Sequence, residues 1–326
     1  MPPAPSMRGD LIRRLIQAMP YRRRWALHYL RALAPKKPFV GRFRGGRMEV
    51  RPGEIACDAA YFFGFYEREL TAWCLDLIRS GGPDNLDVVV DVGANFGYYP
   101  LLLGLESAGR IRSIAFEPDR ANFEWLQHNM SLNPQLSVLC EQMCVGSTDE
   151  DQVTLRQFGL GLSGGTRVVS GKAEHRSGTG DEVVACCRLD SYLNRTGTDK
   201  VSLVLIDVEG YEGEVVEGMQ AGLANHRYSR IVVELHPWAF ASQALMHERV
   251  IEPFVKAGYA GYRFRHLDNL EMDKQRRTYQ VDVPDREPFG PVSLEGMGGW
   301  QHFLFQLPHL PVRGLPTGKS PAAVTG

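Results

Sequence analysis

The sequence predicts an α/β fold, a mostly parallel sheet with helices on both faces. Three observations lead there. Apolar runs of strand length, such as Val88 to Val92 and Val201 to Val208, alternate with stretches of helical period. The first run ends in a glycine corner flanked by an acid, Asp91-Val92-Gly93-Ala94-Asn95-Phe96-Gly97. The next apolar run, Ile111 to Phe116, closes on Glu117-Pro118. Open parallel sheets bind ligands at such strand ends.

Before the sheet, Leu11 to Leu33 reads as a basic amphipathic helix or helix pair. Leu11, Ile12, Leu15, Ile16 and Met19 recur at helical spacing and Pro20 breaks the run, with Arg22-Arg23-Arg24 beyond it. Phe39 to Glu54 reads as short strands turning at Gly45-Gly46, and Glu67 to Arg79 as a helix stopped by Gly81-Gly82-Pro83. Strands at Val88–Val92, Ile111–Phe116, Leu136–Val145, Val201–Val208 and Ile231–Leu235 then alternate with helices at Tyr99–Leu105, Arg120–Asn133, Glu212–Gly222 and His247–Ala257. Leu160 to Glu182, rich in Gly, Ser and charge, reads as a loop or hairpin at the rim. Gln301 to Phe305 could add a late strand, and the Pro- and Gly-rich chain from Pro308 reads as a frayed tail.

Composition narrows the function classes. The 326 residues are 44% hydrophobic, ordinary for a globular chain. Charge is uneven: residues 1 to 47 hold 12 Lys and Arg against Asp10 alone, a net +11, which leaves −12 on the rest of a chain whose total is −1. Such an arm either packs on the body by its apolar stripe or docks on an anionic surface such as lipid headgroups. No nucleic-acid motif accompanies the basic residues. The six cysteines form no Cys-x-x-Cys pair and read as reduced, structural thiols, with Cys140 and Cys144 on one strand face. No apolar run reaches the ~18 residues of a membrane span, and no signal-peptide core follows the N-terminal charges. A cytoplasmic compartment is the simplest expectation.

The glycine corner carries the chemistry. A dinucleotide site wants G-x-G-x-x-G for its pyrophosphate. Here Asn95 replaces the middle glycine, Gly97 comes one position early, and Asp91 stands two residues before Gly93. A carboxylate there repels phosphate and suits a ligand with an amine and a sulfonium. Gly93 lets the backbone approach that ligand, and Gly97 does so at the helix start. Glu117 is placed to accept bonds from ribose hydroxyls. A plain tight turn with a helix N-cap would explain the glycines alone. Further on, Asp207 and Glu209 alternate out of an apolar strand end and share one side, and His236 ends the next strand. Acids and an imidazole at neighbouring strand ends suggest a polar pocket.

The segments VVVDVGANFGYYPLLL, IAFEPDRANFEWLQHNMSLN, RLDSYL, VSLVLIDVEGYEGEVVEGM and IVVELHP resemble, in order and spacing, the FkbM family of S-adenosylmethionine-dependent O-methyltransferases. The likeness runs from about Glu67 to His236. It implies a class I methyltransferase fold, a Rossmann-like sheet of seven strands with one antiparallel, and methyl transfer to a hydroxyl of a sugar, glycan or secondary metabolite. It implies that Asp91, Gly93, Asn95 and Gly97 line the methionine part of the cofactor, that Glu117 with Pro118 holds the ribose, and that Cys144 to Ser147 border the adenine. Asp207, Glu209 and His236 would face the acceptor, with Asp207 or His236 as base and Glu209 positioning. The same three residues could instead hold a divalent cation. The expected organisation is a basic arm (1–47), a methyltransferase domain (48–310) and a flexible tail (311–326). Two rivals stand beside it: an NAD-dependent oxidoreductase, which lacks its glycine pattern, and a non-enzymatic binder of anionic surfaces on a degenerate scaffold.

Overall fold

The computed structural model describes residues 4–17, 33–81, 86–149, 153–157, 166–169, 182–264, 286–288 and 301–311. The expected break at Pro20, the Arg22 to Arg24 run, the corner at Gly82-Pro83, most of the Leu160 to Glu182 excursion and the chain from 312 onward lie outside them.

A hairpin comes first, β1 (Phe39–Phe43) paired with β2 (Gly46–Val50), and it spans the expected boundary at residue 47. The main sheet begins with β3 (Val88–Val92), β4 (Arg112–Phe116) and β5 (Ser137–Glu141). A short strand β6 (Cys144–Val145) follows, and then β7 (Val153–Gln157), β8 (Thr166–Val169) and β9 (Glu182–Val184), a separate antiparallel sheet of order β8-β7-β9. After β10 (Cys186–Cys187) the main sheet resumes with β11 (Leu203–Ile206), β12 (Arg230–Leu235), β13 (Ala260–Phe264), β14 (Arg286–Pro288) and β15 (Gln301–Gln306). Its order is β14-β13-β15-β12-β11-β3-β4-β5. Strands β5, β4, β3, β11 and β12 run parallel, and β15 inserts antiparallel between β12 and β13. This is the seven-stranded class I methyltransferase plan, with β14 added as an eighth strand at the edge.

The sheet is covered on both faces, and residue parity shows it. Val89, Leu203, Leu205, Val232 and Leu304 enter one apolar cluster with the helices Arg68–Ser80 and Tyr98–Glu106. Val90, Val204, Ile206, Val233 and Phe303 enter the other, with the helices Leu189–Arg195 and Glu212–Glu217. Period-2 alternation sends successive strand residues to opposite faces, so two buried faces require the continuous apolar runs seen in the sequence.

Several boundaries differ from expectation. The run Leu136 to Val145 divides: β5 joins the main sheet while β6 leaves it to pair with β10, so Cys140 and Cys144 do not share a face. The run Val201 to Val208 shortens to β11, with Val201 held by one bridge to Tyr228. Glu212 to Gly222 forms two short helices, Glu212–Glu217 and Gln220–Ala224. The last helix starts earlier, at Gln243, and carries a π turn over His247–Ile251. The helix Ile55–Phe63 and the strand β13 have no counterpart in the sequence reading.

The N-terminal helix Met7–Gln17 packs on the body through Ile12 and Ile16. Its Asp10 accepts hydrogen bonds from the Tyr61 hydroxyl at 2.8 Å and the Arg42 amide at 3.0 Å. Leu11 and Leu15, expected on the packed stripe, face outward, and Met19 lies outside the described residues. All six cysteines are free thiols.

Candidate active site

Strand register builds the site. Asp91 pairs with Leu205, Leu205 with Val232, and Val232 with Leu304, an almost wholly apolar row across one face. One pleat further toward the strand ends, the same face presents Gly93, Asp207, Glu234 and His302, Glu234 and His302 being register partners. Polar groups collect in this row because the strands stop there and the chain turns away. Glu67 closes over the row from the N-terminus of the helix Arg68–Ser80.

The glycine corner wraps the end of β3. The amides of Gly93 and Ala94 both donate to the Phe116 carbonyl at 2.9 Å. Gly93 has φ +89°, and a Cβ there would overlap the carbonyl oxygen of Asp207. Its freedom thus serves the close approach of two strand ends, at a position that also lines the adjoining cleft. Gly97, with φ +86°, faces the Leu126 and Met130 side chains of the next helix, where a Cβ would lie 2.6 Å from Leu126 Cδ1. Its freedom serves close packing between the corner and that helix. Glu117 ties the corner down: its Oε2 accepts from the Asn95 amide at 2.7 Å and its Oε1 from the Asp119 amide at 3.0 Å.

A cleft of about 660 Å³, open to solvent, runs along these strand ends. Gly93, Asn95, Glu117 and Pro118 line one side, Met143, Cys144 and Val145 another, and Asp207 and Glu209 its far end. Asp91 is buried beneath the corner, and its Oδ2 has no hydrogen-bond partner among the described residues.

Beyond the cleft, carboxylates and imidazoles alternate. The Tyr99 hydroxyl donates a short hydrogen bond to Glu67 Oε2. His302 Nε2 lies 3.5 Å from Glu67 Oε2 and 3.3 Å from Glu234 Oε2. His236 Nε2 lies 3.7 Å from both Glu234 Oε1 and Glu209 Oε2. His236 Nδ1 meets Oε1 of the fully buried Glu212 at 2.7 Å, and that oxygen also accepts from the Gly210 amide at 2.9 Å. Asp207 and Glu209, two residues apart beyond β11, and His236, beyond β12, therefore stand together as expected, with ligand atoms within 4.8 Å of one another.

Crowded charge sets the protonation states. Burial, then Glu117 and Glu67, raise the Asp91 carboxyl to about 8. Burial raises Glu117 to about 7 against its backbone hydrogen bonds. Burial, then Glu234, Glu67 and Glu209, raise Asp207 well above the carboxylate range. Glu234 is lowered because His302, His236 and a hydrogen bond with Asp207 outweigh its burial. Burial opposes charge on His302 and His236. Even so, Glu67 and Glu234 raise the first well above 6.5, and Glu212, Glu234 and Glu209 raise the second. The Asp207 carboxyl, exposed at the cleft, is thus shifted toward its protonated form beside the Glu234 carboxylate.

One consequence is measurable. Between 3.8 and about 8 the folded chain keeps the Asp91 proton that the unfolded chain has lost, and Glu117 does the same between 4.5 and about 7. Folding stability must therefore fall as pH rises through that window. The expected result is a melting temperature that declines from pH 5 to pH 8. A cationic ligand beside these carboxyls should shrink the decline, which differential scanning fluorimetry with and without S-adenosylmethionine will show.

The sequence reading missed Glu67, Glu212, Glu234, His302 and Tyr99. Glu234 was legible as an acid inside the apolar run Val232-Val233-Glu234-Leu235. The others are far apart in the chain and carried no local signal.

Residues 91–264 match the family model of the methyltransferase FkbM domain. No curated protein matches the chain. Among solved structures, the chain is similar to precorrin-6y C5,15-methyltransferase from Geobacter metallireducens at 10% identity, over 73% of this chain and 88% of that one, with a TM-score of 0.36. It is similar to M. jannaschii TYW2 in complex with AdoMet at 15% identity, over 84% and 88%, with a TM-score of 0.36. It is also similar to a SAM-dependent methyltransferase from Agrobacterium tumefaciens at 8% identity, over 84% and 71%, with a TM-score of 0.42. Likeness at that level says nothing about the reaction.

Proposed function

Since the chain belongs to the FkbM family of methyltransferases, which use S-adenosylmethionine, we propose that it is an O-methyltransferase acting on a sugar hydroxyl, free or within a glycan. The observation that carries the reading is the dyad of His236 and buried Glu212, whose outer nitrogen faces Glu209 and Glu234 beside the cleft.

The residues fit a cationic sulfur nucleoside. Asp91 offers a buried, unpartnered carboxyl oxygen, and Glu67 adds a second carboxylate whose charge reaches both Asp91 and Asp207. Glu67 and Asp91 would hold the cofactor's ammonium, Glu117 its ribose, and Cys144 and Val145 would border its base. When bound, the cofactor supplies the methyl group on its sulfonium. The chain's own tasks are to align the acceptor oxygen and to take its proton as the C–O bond forms. Glu212 fixes the His236 ring through Nδ1, which leaves Nε2 to accept the hydroxyl proton. Asp207, protonated, donates a hydrogen bond to Glu234, and Glu209 orients the acceptor.

Two features favour a sugar. Carboxylates accept bonds from several hydroxyls at once. Trp238 stands half-exposed beside them, its ring 5.7 Å from that of His236 and its Cη2 packed against Gly210. An aromatic face next to hydrogen-bonding groups suits the C–H face of a pyranose. Trp238→Ala is expected to raise the acceptor KM about tenfold or more while leaving cofactor affinity within about twofold. Equal loss in both would remove Trp238 from the acceptor side.

The direct test combines calorimetric titration with S-adenosylmethionine and a labelled-methyl screen of sugar-containing extracts. Label recovered only in sugar-free metabolites would overturn the acceptor class. The NAD reading loses its ground with the family assignment and the missing glycine pattern.

A further inference from the structure

The N-terminal helix Met7–Gln17 is apolar on two sides. One side packs inward through Ile12 and Ile16. The other presents Met7, Leu11 and Leu15 at i, i+4 and i+8, exposed to 89%, 58% and 46%. Arg8 and Arg14 flank that outer stripe and are exposed as well. Arg8 Nε donates to the carbonyl of Leu33 at 2.8 Å, which sets a further leucine, 54% exposed, beside the helix. Lys36 and Lys37 follow, both exposed. Single exposed apolar residues need no explanation, but three in one helical row on a basic surface, with a fourth exposed leucine held nearby by its backbone, do.

We infer that this face docks peripherally on an anionic lipid bilayer, leucines and Met7 in the headgroup–acyl boundary and Arg8, Arg14, Lys36 and Lys37 on the headgroups. Charge selects the occupant. Residues 1 to 47 carry a net +11 while the remainder carries −12. A second copy of the chain would set basic arm on basic arm or lose the leucine contacts. A lipid surface satisfies stripe and charge together, as an interfacial helix does. The helix is held in place rather than trailing: Ile12 and Ile16 are buried and Asp10 is bonded to Tyr61 and Arg42. The face is therefore preformed. Among the described residues no helix is long and apolar enough to cross a membrane.

Vesicle co-sedimentation of the full chain tests this. Vesicles of phosphatidylcholine with about a third phosphatidylglycerol should bind the protein at 0.1 M salt, and pure phosphatidylcholine vesicles should bind it at least about tenfold less. Leu11→Ser with Leu15→Ser keeps every charge and alters only exposed positions. It should lower binding about tenfold or more with an unchanged melting temperature. Arg8→Glu with Arg14→Glu should lower it comparably and make the remaining binding less sensitive to salt than that of the wild type. Three results would overturn the inference. One is no binding to either vesicle. Another is serine-variant binding equal to the wild type, which would mark a general polyanion surface. The third is sedimentation showing a dimer that the serine variant dissolves.

Discussion

Replacing His236 by Gln is expected to lower kcat by about 10²- to 10⁴-fold, the usual contribution of one positioned base. Affinity for S-adenosylmethionine should stay within about threefold, because His236 sits at the acceptor end of the cleft, against Glu212 and Glu209. The wild-type rate carries its own signature. Neighbouring carboxylates raise the His236 pKa above 6.5, so the base form grows only as pH climbs through that raised value. kcat/KM should rise with pH across neutrality, and Glu212→Gln should move the inflection down, since it removes a carboxylate that favours the charged ring. Asp207→Asn keeps a donor toward Glu234 and should cost far less than the His236 change. A larger loss from Asp207→Asn, with a flat pH profile in the wild type, would reassign the base.

The second large effect belongs to Gly93. Alanine there must adopt φ +89° and place its Cβ on the Asp207 carbonyl. Strain and overlap together cost on the order of 3 kcal/mol or more. The melting temperature should drop by roughly 4 °C or more, and S-adenosylmethionine binding should weaken beyond detection, because β3 and β11 can no longer close together under the cleft. Gly97→Ala meets the ends of flexible side chains, Leu126 Cδ1 and Met130 Cε, and should be milder. Equal stability of the wild type and Gly93→Ala would refute this account of the corner.

The parts legible in the sequence were those encoded locally. Val88 to Val92 and its glycine corner announce a strand meeting a ligand site because burial on both faces demands unbroken apolar residues, and Asp91 interrupts them at a cost. Asp207, Glu209 and His236 were readable for the same reason. What escaped is set by register. Glu67 and His302 meet only because the N-terminus of a helix that precedes the main sheet and the late strand β15 within it converge on one row. Neither lies in an anomalous local pattern: Glu67 precedes an ordinary helix, and His302 alternates in an ordinary strand. The split between β5 and β6 also lacked a signal, since no glycine or proline marks the turn at Gln142-Met143. Protonation states were illegible altogether. That the Asp207 carboxyl is raised follows from Glu234 and Glu67, which no spacing rule connects to it.

The antiparallel β15 also governs when the molecule can become whole. It lies between β12 and β13, so β13 pairs with β12 only through residues that leave the ribosome some forty positions later. Five parallel strands can zip together during synthesis while β13 waits, and the exposed edge of β12 is an invitation to mispairing in the meantime. Termination before Gln301 would therefore cost more than a tail: it strands β13 and β14 and removes His302 from the chemistry at one stroke. Full-length translation and a competent active site are, for this chain, a single event.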